Sequence, residues 1–339
     1  MEKPRRGRGR TTTMDDVARL AGVSIMTVSN VFQKPGKVHH LTRERVRQAA
    51  LSLNYVPNRA ASELASGRSN AIAAIVPFIR NSSFSRTIEG LEERAWQHGF
   101  ELLLAVADSA DRETRAIRNL IGRRPDGIVL TGAEHNDEAI EVLLESGIPV
   151  VETWTVEGSR FEMTVGNSLY QAAFDVTERL LERGYRRIGF IGHDAPVSRR
   201  FSERQRGFEA ALSKAGVTAA GMCHVSTGSG FSGGSAALES LTSQADDLQA
   251  VLCVTDVVAA GVMFECMRRG WDIPAKLAVA GYGDFEIASQ IPPGLTTIKT
   301  RGYEIGARAA DLLVEHIHHG QVVQPHVDVG YDIIERGSI

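Results

Sequence analysis

The sequence is short of cysteine, of long apolar runs and of excess charge, and each shortage removes a class of protein. Its three cysteines, Cys223, Cys253 and Cys266, form no CxxC pair and have no histidine at zinc-binding spacing. So sparse and odd a count fits a reducing compartment rather than a disulfide scaffold, and the thiols read as small buried apolar groups. No stretch approaches the roughly 18 consecutive apolar residues that a spanning helix needs, so no membrane partner is expected. The basic N-terminus runs into TTTMDDVARLAG without an apolar core, so it does not read as a secretory signal, and a cytoplasmic location is expected. Enzyme signatures are missing too. No GxGxxG follows the first apolar strand, and there is no GxxxxGK(S/T), GxSxG or HExxH. The glycine-rich residues 227–234 lack the spacing of a phosphate cradle and read as a strand-to-helix connection. No enzyme activity, cofactor or metal is expected.

What is present is unevenly distributed. The 339 residues hold 38 Lys and Arg against 41 Asp and Glu, a net charge of −3. Residues 1–68 carry thirteen of the basic residues and five of the acids, a balance of +8, which leaves −11 for the rest. A basic head on an acidic body implies an anionic polymer as partner for the head alone. Hydrophobic content of 43% and charged content of 23% are those of a globular chain long enough for two or three domains.

Residues 1–12 are rich in Arg and Gly, without periodicity, and read as a flexible basic arm. Residues 13–57 read as three short helices. Thr13 can cap the first, with Asp16 at its third position and Val17, Leu20 and Ala21 on one face. Gly22 supplies the turn, Ser24 can cap a second helix with Val28 and Val31 inward, and Thr42 can cap a third carrying Val46, Ala49, Ala50 and Leu53. Residues 58–64 are helix-compatible but too short to be stable alone, and with the linker to 68 they separate head from body. From residue 71 onward, apolar runs at 72–78, 101–107, 127–131, 150–154, 187–192, 250–255 and 277–282 alternate with amphipathic stretches such as 88–99, 137–147, 172–184 and 202–216. The pattern predicts buried parallel strands in repeated βα units, with ligands beyond their carboxyl ends. Some 270 residues is long for one such sheet. Two successive α/β lobes with a cleft between them are expected.

The segment DDVARLAGVSIMTVSNV has helix, glycine-containing turn and helix spacing, with small Ala18 and inward Val28 allowing a close crossing. That is helix-turn-helix chemistry, in which the second helix enters the major groove. A generic helical hairpin would carry neither the +8 charge nor the small polar face of Ser24, Thr27, Ser29 and Asn30.

With LTRERVRQAALSLNYVPNRAASELASGRS following, and then GIPVVE, RRIGFIG, RQRGFEAAL, VTDVVAAGV, VAGYGD and LTTIK in order, the chain resembles the lactose-repressor (LacI/GalR) family from about Thr13 to its end. The resemblance implies a body like a periplasmic sugar-binding protein: two Rossmann-like lobes with crossings near Asn167, Ile298 and His326. The first lobe would span about 69–166 and 299–326, the second about 167–298 and 327–339. It also implies operator contacts. Ile25, Met26 and Asn30 fall at base-edge positions, and Thr13, Met14, Ser24, Thr27, Ser29, Lys37, His39 and Thr42 at phosphate or groove-edge positions. Apolar Ile25 and Met26 suit thymine methyls, and Asn30, where Arg is usual, suits adenine. Residues 58–64 match the hinge helix, with Leu64 as the minor-groove wedge, Ala61 against the groove and Asn58 and Arg59 near the backbone. One hinge cannot fill a palindromic site, so a homodimer is expected, and no leucine-heptad tail follows to make it a tetramer.

For the ligand, the resemblance places Asn81, Ser83, Phe84, Glu152, Trp154, Arg204, Thr255, Asp256, Asp284 and Arg301 around the cleft. Arg204 matches the arginine that clamps a ligand oxygen or carboxylate. Asp256 reads equally as a hydroxyl acceptor or a helix cap, and Trp154 equally as a stacking platform or plain core. Gly283 stands where many sugar-binding members have the first of two acids, and Thr300 and Arg301 replace a frequent Gln. One acid fewer and one arginine more favour an anionic effector. IMTVS, IPVVE, TVGN, MFECMRRG, AGYGDFEIA and ERGSI are similar to the gluconate-operon repressors, so a sugar acid is the expected effector and operator DNA the expected partner. A neutral sugar, or a corepressor that tightens DNA binding, is the alternative. A sugar-binding protein without DNA function is the remote one.

Overall fold

A computed structural model describes residues 12–33, 35–56, 68–79, 84–154, 156, 158–194, 199–226 and 228–339. They fall into two units, Met1–Ser69 and Asn70–Ile339. Residues 1–11 of the basic arm, Lys34, Asn58, Arg59, Ala61, Leu64, Asn81 and Ser83 lie outside the described residues.

The head contains α1 (Met14–Ala21), α2 (Ile25–Gln33) and α3 (His40–Ser52), with a 3₁₀ turn at Pro35–Lys37. Thr13 and Asp16 form a reciprocal capping box at α1, and Gly22, at φ +64°, closes its end. Ser24 Oγ accepts the Thr27 backbone N–H at 3.1 Å and starts α2. Val17, Ala18, Ala21, Val28, Val31, Val46, Ala49 and Ala50 make the small core. Two expectations are corrected. Leu20 is 57% exposed, because Ala18 and not Leu20 occupies the α1 crossing. Helix α3 begins at His40 after an uncapped His39, so Thr42 lies inside its first turn and caps nothing.

The body holds two six-stranded sheets. The first is built from β1 (Ala71–Val76), β2 (Glu101–Val106), β3 (Gly127–Thr131), β4 (Val150–Thr153), β5 (Met163–Gly166) and β11 (His326–Asp328). Their order is β11-β5-β4-β3-β1-β2, all parallel. Helices α4 (Phe84–Gln97), α5 (Ala110–Ile121), α6 (Asp137–Ser146) and α12 (Gly302–His319) cover its faces. The second is built from β6 (Ile188–His193), β7 (Gly221–Val225), β8 (Ala250–Cys253), β9 (Ala278–Tyr282), β10 (Thr296–Thr300) and β12 (Tyr331–Ile334). Its order is β12-β10-β9-β8-β6-β7, with only β12 antiparallel. It packs α7 (Leu169–Glu182), α8 (Arg199–Lys214), α9 (Gly230–Gln244), α10 (Asp256–Arg268) and the short α11 (Glu286–Gln290). Strand β2 departs from the buried reading of its apolar run. As an edge strand it leaves Leu104 and Val106 each 40% exposed.

The chain passes between lobes three times. It leaves the carboxyl end of β5 at Asn167, the carboxyl end of β10 at Arg301, and the carboxyl end of β11 at Val329 and Gly330. The second and third crossings fall three or four residues later than the expected Ile298 and His326, because β10 and β11 stay paired in their own sheets to Thr300 and Asp328. Every crossing meets the carboxyl edge of a parallel sheet, so those edges face one another, and this is where open α/β sheets bind ligands. Threonines tie the first edge together: Thr131 Oγ1 donates to the Ile75 carbonyl at 3.0 Å and Thr153 Oγ1 to the Leu130 carbonyl at 2.7 Å.

Helix pairs in the body approach to backbone contact. On α4 and α12, a Cβ at Gly90 would overlap the Tyr303 carbonyl and one at Gly306 the Thr87 carbonyl. The same device recurs at Gly207 on α8, and at Gly234 and Gly261 between α9 and α10. Gly306→Ala should therefore force α4 and α12 apart and cost about 2–4 kcal/mol. Urea unfolding of the variant measures this, and an unchanged midpoint would show that the helices part freely.

Candidate functional site

The second lobe's edge is built around buried charges. Arg204, 8% exposed, lies with its guanidinium 3.8 Å from the Tyr282 ring centroid at the end of β9. Its Nη1 donates to the Val254 carbonyl, just past β8, at 3.0 Å. Stacking and a carbonyl anchor thus hold a planar cation at two strand ends. Burial lowers its pKa from the ordinary arginine value.

The acids of this edge are turned inward. Asp256 is fully buried at the start of α10. One carboxylate oxygen accepts the Phe285 N–H at 2.7 Å and the other the Thr297 hydroxyl at 2.5 Å. Burial pushes its pKa up to about 6, against the lowering effect of those two bonds. Gly281 makes room for this carboxylate, since a Cβ there would collide with it. The cap of α10 is Thr255, whose hydroxyl accepts the Val258 N–H at 3.3 Å. Asp284 accepts from Arg336 Nη2 at 2.7 Å, both side chains being about four-fifths buried. Gly283 sits at φ +131°, where a Cβ would strike the Phe285 ring, so an acid does not fit here. Arg336 belongs to the terminal ERGSI, and Ser338 beside it donates to the Val279 carbonyl at 2.6 Å and accepts the Thr296 N–H at 2.8 Å.

The first lobe contributes differently. Trp154 is only 3% exposed; its indole N–H donates to Thr87 Oγ1 at 3.2 Å and its ring meets Phe84 edge-on at 5.4 Å. Both aromatics are core, so Trp154 presents no stacking face in this arrangement. Glu152, one residue before the end of β4, is fully buried. Its Oε1 lies 3.5 Å from His135 Nε2 without hydrogen-bond geometry, and neither carboxylate oxygen has a hydrogen-bond partner among the described residues. Trp154 and Asp284 both hold positive φ, +64° and +51°, so the strand ends on both lobes carry left-handed, strained backbone.

Of the expected ligand residues, the structure therefore brings Glu152 and Arg204 to the facing edges as buried polar groups. Phe84 and Trp154 serve packing, Thr255 caps a helix, and Asp256 and Asp284 are engaged within their lobe. Arg301 lies at the second crossing, half-exposed, 3.3 Å from Asp332. Sequence reasoning missed two edge groups. Asn167, 1% exposed, has neither amide atom hydrogen-bonded, and the Tyr282 hydroxyl is likewise buried without a partner among the described residues. The signal for both was a polar group closing an apolar strand. Buried polar atoms left unsatisfied need an explanation, and three such groups on facing strand ends fit a polyhydroxylated ligand.

On the head, Ser24, Ile25, Met26, Lys37 and His39 are exposed and Thr27, Ser29 and Asn30 partly so. Ile25 and Met26 are 49% and 69% exposed although apolar, which leaves an unburied apolar patch at the start of α2. Thr13 is committed to the cap of α1, and Met14 packs on the head core. No described helix is long and apolar enough to cross a membrane.

Comparison with known proteins agrees with both units. A family profile described as bacterial regulatory proteins, lacI family, matches residues 13–58, and one described as a periplasmic binding protein-like domain matches 177–339. The chain is 34% identical over 340 residues to the HTH-type transcriptional regulator GntR of Pseudomonas aeruginosa, covering 99% of this chain and 98% of that protein. It is 31% identical over 334 residues to the HTH-type transcriptional regulator IdnR of Escherichia coli (strain K12), covering 98% and 100%. Among solved structures, a LacI-family transcriptional regulator from Silicibacter pomeroyi matches with TM-score 0.88 at 31% identity, covering 96% of this chain and 99% of that one. The lac repressor dimer bound to operator and the anti-inducer ONPF shares the fold, with TM-score 0.85 at 24% identity, covering 97% and 99%.

The inward bonds of Asp256 give a direct test of its role. Asp256→Ala strands the Phe285 N–H and the Thr297 hydroxyl and should destabilise the body by about 2 kcal/mol or more. Denaturant unfolding reads this, and a fully stable variant that lost only effector affinity would return Asp256 to the ligand.

Proposed function

The chain belongs to the LacI family of bacterial transcription regulators, and on that premise we propose that it represses sugar-acid catabolic genes and releases its operator on binding a gluconate-like inducer. It is a DNA-binding regulator of a family whose members bind operator DNA and a small-molecule effector, typically as dimers. The observation that carries the sugar-acid reading is the charge arrangement at the second lobe's edge. Asp256 and Asp284 are bonded within the lobe, Gly283 excludes a further acid, and Arg204 is fixed at the strand ends. A carboxylate arriving there meets a cation rather than a wall of acids. Glu152, Asn167 and Tyr282 would serve the hydroxyls, with Arg301 at the crossing and Asn81 and Ser83 after β1 completing the set. The similarity to gluconate-operon repressors agrees.

For the DNA, Ile25, Met26 and Asn30 are assigned to base edges, with Ser24, Thr27, Ser29, Lys37, His39 and Thr42 to the phosphates and groove rim. Asn58, Arg59, Ala61 and Leu64 are assigned to the minor groove, which needs two copies of the chain at a palindrome.

Calorimetry with gluconate, ketogluconates, hexuronates and neutral sugars tests the effector: sugar acids should bind, with Arg204→Met weakening them by about tenfold or more. Binding confined to neutral sugars would reject the anion argument. Operator selection from random DNA with wild type and Asn30→Arg should move one symmetric base pair from adenine to guanine preference. An unchanged selection would reject the assignment of Asn30.

A further inference from the structure

His135, in the loop after β3, has a side chain with no solvent exposure and lies between two glutamates from different elements. Its Nδ1 is 3.0 Å from both carboxylate oxygens of Glu113 on α5. Its Nε2 is 3.1 Å from the Gly132 carbonyl oxygen and 3.5 Å from Glu152 Oε1 on β4. Glu113 is itself 15% exposed, so it forms the outer end of the row and Glu152 the inner one. The charges that act on the ring among the described residues are these two carboxylates, and the Gly132 carbonyl of its own loop lies beside Nε2.

Both ring nitrogens therefore face acceptors alone. A neutral imidazole always presents one lone pair, which here would point at a carboxylate or a carbonyl; only the doubly protonated ring can satisfy both sides. The row is then carboxylate, imidazolium, carboxylate. Its outer member hydrogen-bonds the cation. Its inner member touches the cation but has both oxygens unbonded at the carboxyl edge that faces the second lobe.

We propose that Glu113 and His135 are positioning residues that keep Glu152 ionised and aimed, so that its two oxygens accept a vicinal pair of hydroxyls from the bound ligand. This rests on Glu152 as a ligand contact and adds the means by which a fully buried carboxylate stays charged. Without a neighbouring cation, desolvation drives such a group to take up a proton, and a protonated carboxyl cannot accept from two hydroxyls at once. The imidazolium is stabilised by Glu113, and the whole row stays fixed because each member comes from a separate element. The ring is expected to hold its second proton well past neutrality, since both carboxylates raise its pKa against the opposing effect of burial, to about 9.

The test uses the full-length protein. Carbon-13 histidine NMR, with the His135 signal assigned by its loss in His135→Gln, should show an imidazolium at pH 7; a neutral ring there overturns the proposal whatever the ligand. Calorimetry with gluconate and with a neutral hexose follows. In wild type, binding near pH 7 should exchange no protons, judged by equal heats in buffers of different ionisation enthalpy. In His135→Gln, affinity for either ligand should fall by about tenfold to a hundredfold at pH 7, with proton release on binding, and recover as pH rises. A loss that is equal at every pH, or no loss, overturns the proposal. Should His135→Gln not fold, Glu113→Gln keeps the ring and should lower its titration, so that affinity declines from pH 7 upward where wild type is flat. Hexose binding alone would reject the sugar-acid reading while leaving this one standing. If neither ligand binds, the NMR titration decides.

Discussion

Everything in the body follows from the direction of its strands. Nine of the ten strand pairings are parallel, and the three passages between lobes all meet carboxyl ends. Two sheets joined that way must present those ends to each other. There the strand ladder stops, backbone dipoles and side chains lose their neighbours, and a small molecule can replace what the chain itself does not supply. The polar groups at this junction are not scattered. The second lobe brings an arginine and satisfies its acids from within, while the first brings a carboxylate, and Asn167 stands at a crossing between them.

Packing explains why such edges can be kept rigid. Helices joined by glycine-to-carbonyl contact, at Gly90 and Gly306 above all, have little freedom to slide, and hydroxyls of Thr131 and Thr153 bind neighbouring strand ends. A rigid edge is what permits Trp154 and Asp284 to hold positive φ and Glu152 to remain buried without hydrogen bonds. Each would relax in a looser structure.

The sequence pattern revealed the strands that are buried on both faces, because β1, β3, β4, β6, β8 and β9 are short runs dominated by apolar residues. It misjudged β2, whose run looks the same but lies at a sheet edge, and it did not single out β5, β7, β10, β11 or β12, which are short or mixed with polar residues. In the head, the Thr13 and Ser24 caps and the Gly22 turn were legible since capping is local. The start of α3 was not, for His39 carries no capping bond. At the site, Glu152 stood out as a charge at the end of an apolar run, and Arg204 through the resemblance of RQRGF. What they do depended on partners that spacing does not reveal: His135 meets Glu113 from 22 residues away, and Asp284 meets Arg336 from 52. Only the fold shows that Asp256 and Asp284 are bonded within their own lobe.

Under the proposed function, a DNA-reading head is coupled to a body that takes up a polyhydroxylated anion. The most direct test is operator affinity at one fixed salt concentration, with and without gluconate, since phosphate contacts make affinity fall steeply with ionic strength. The account predicts that gluconate weakens operator binding. Unchanged or tighter binding, with gluconate saturating the protein, would contradict it.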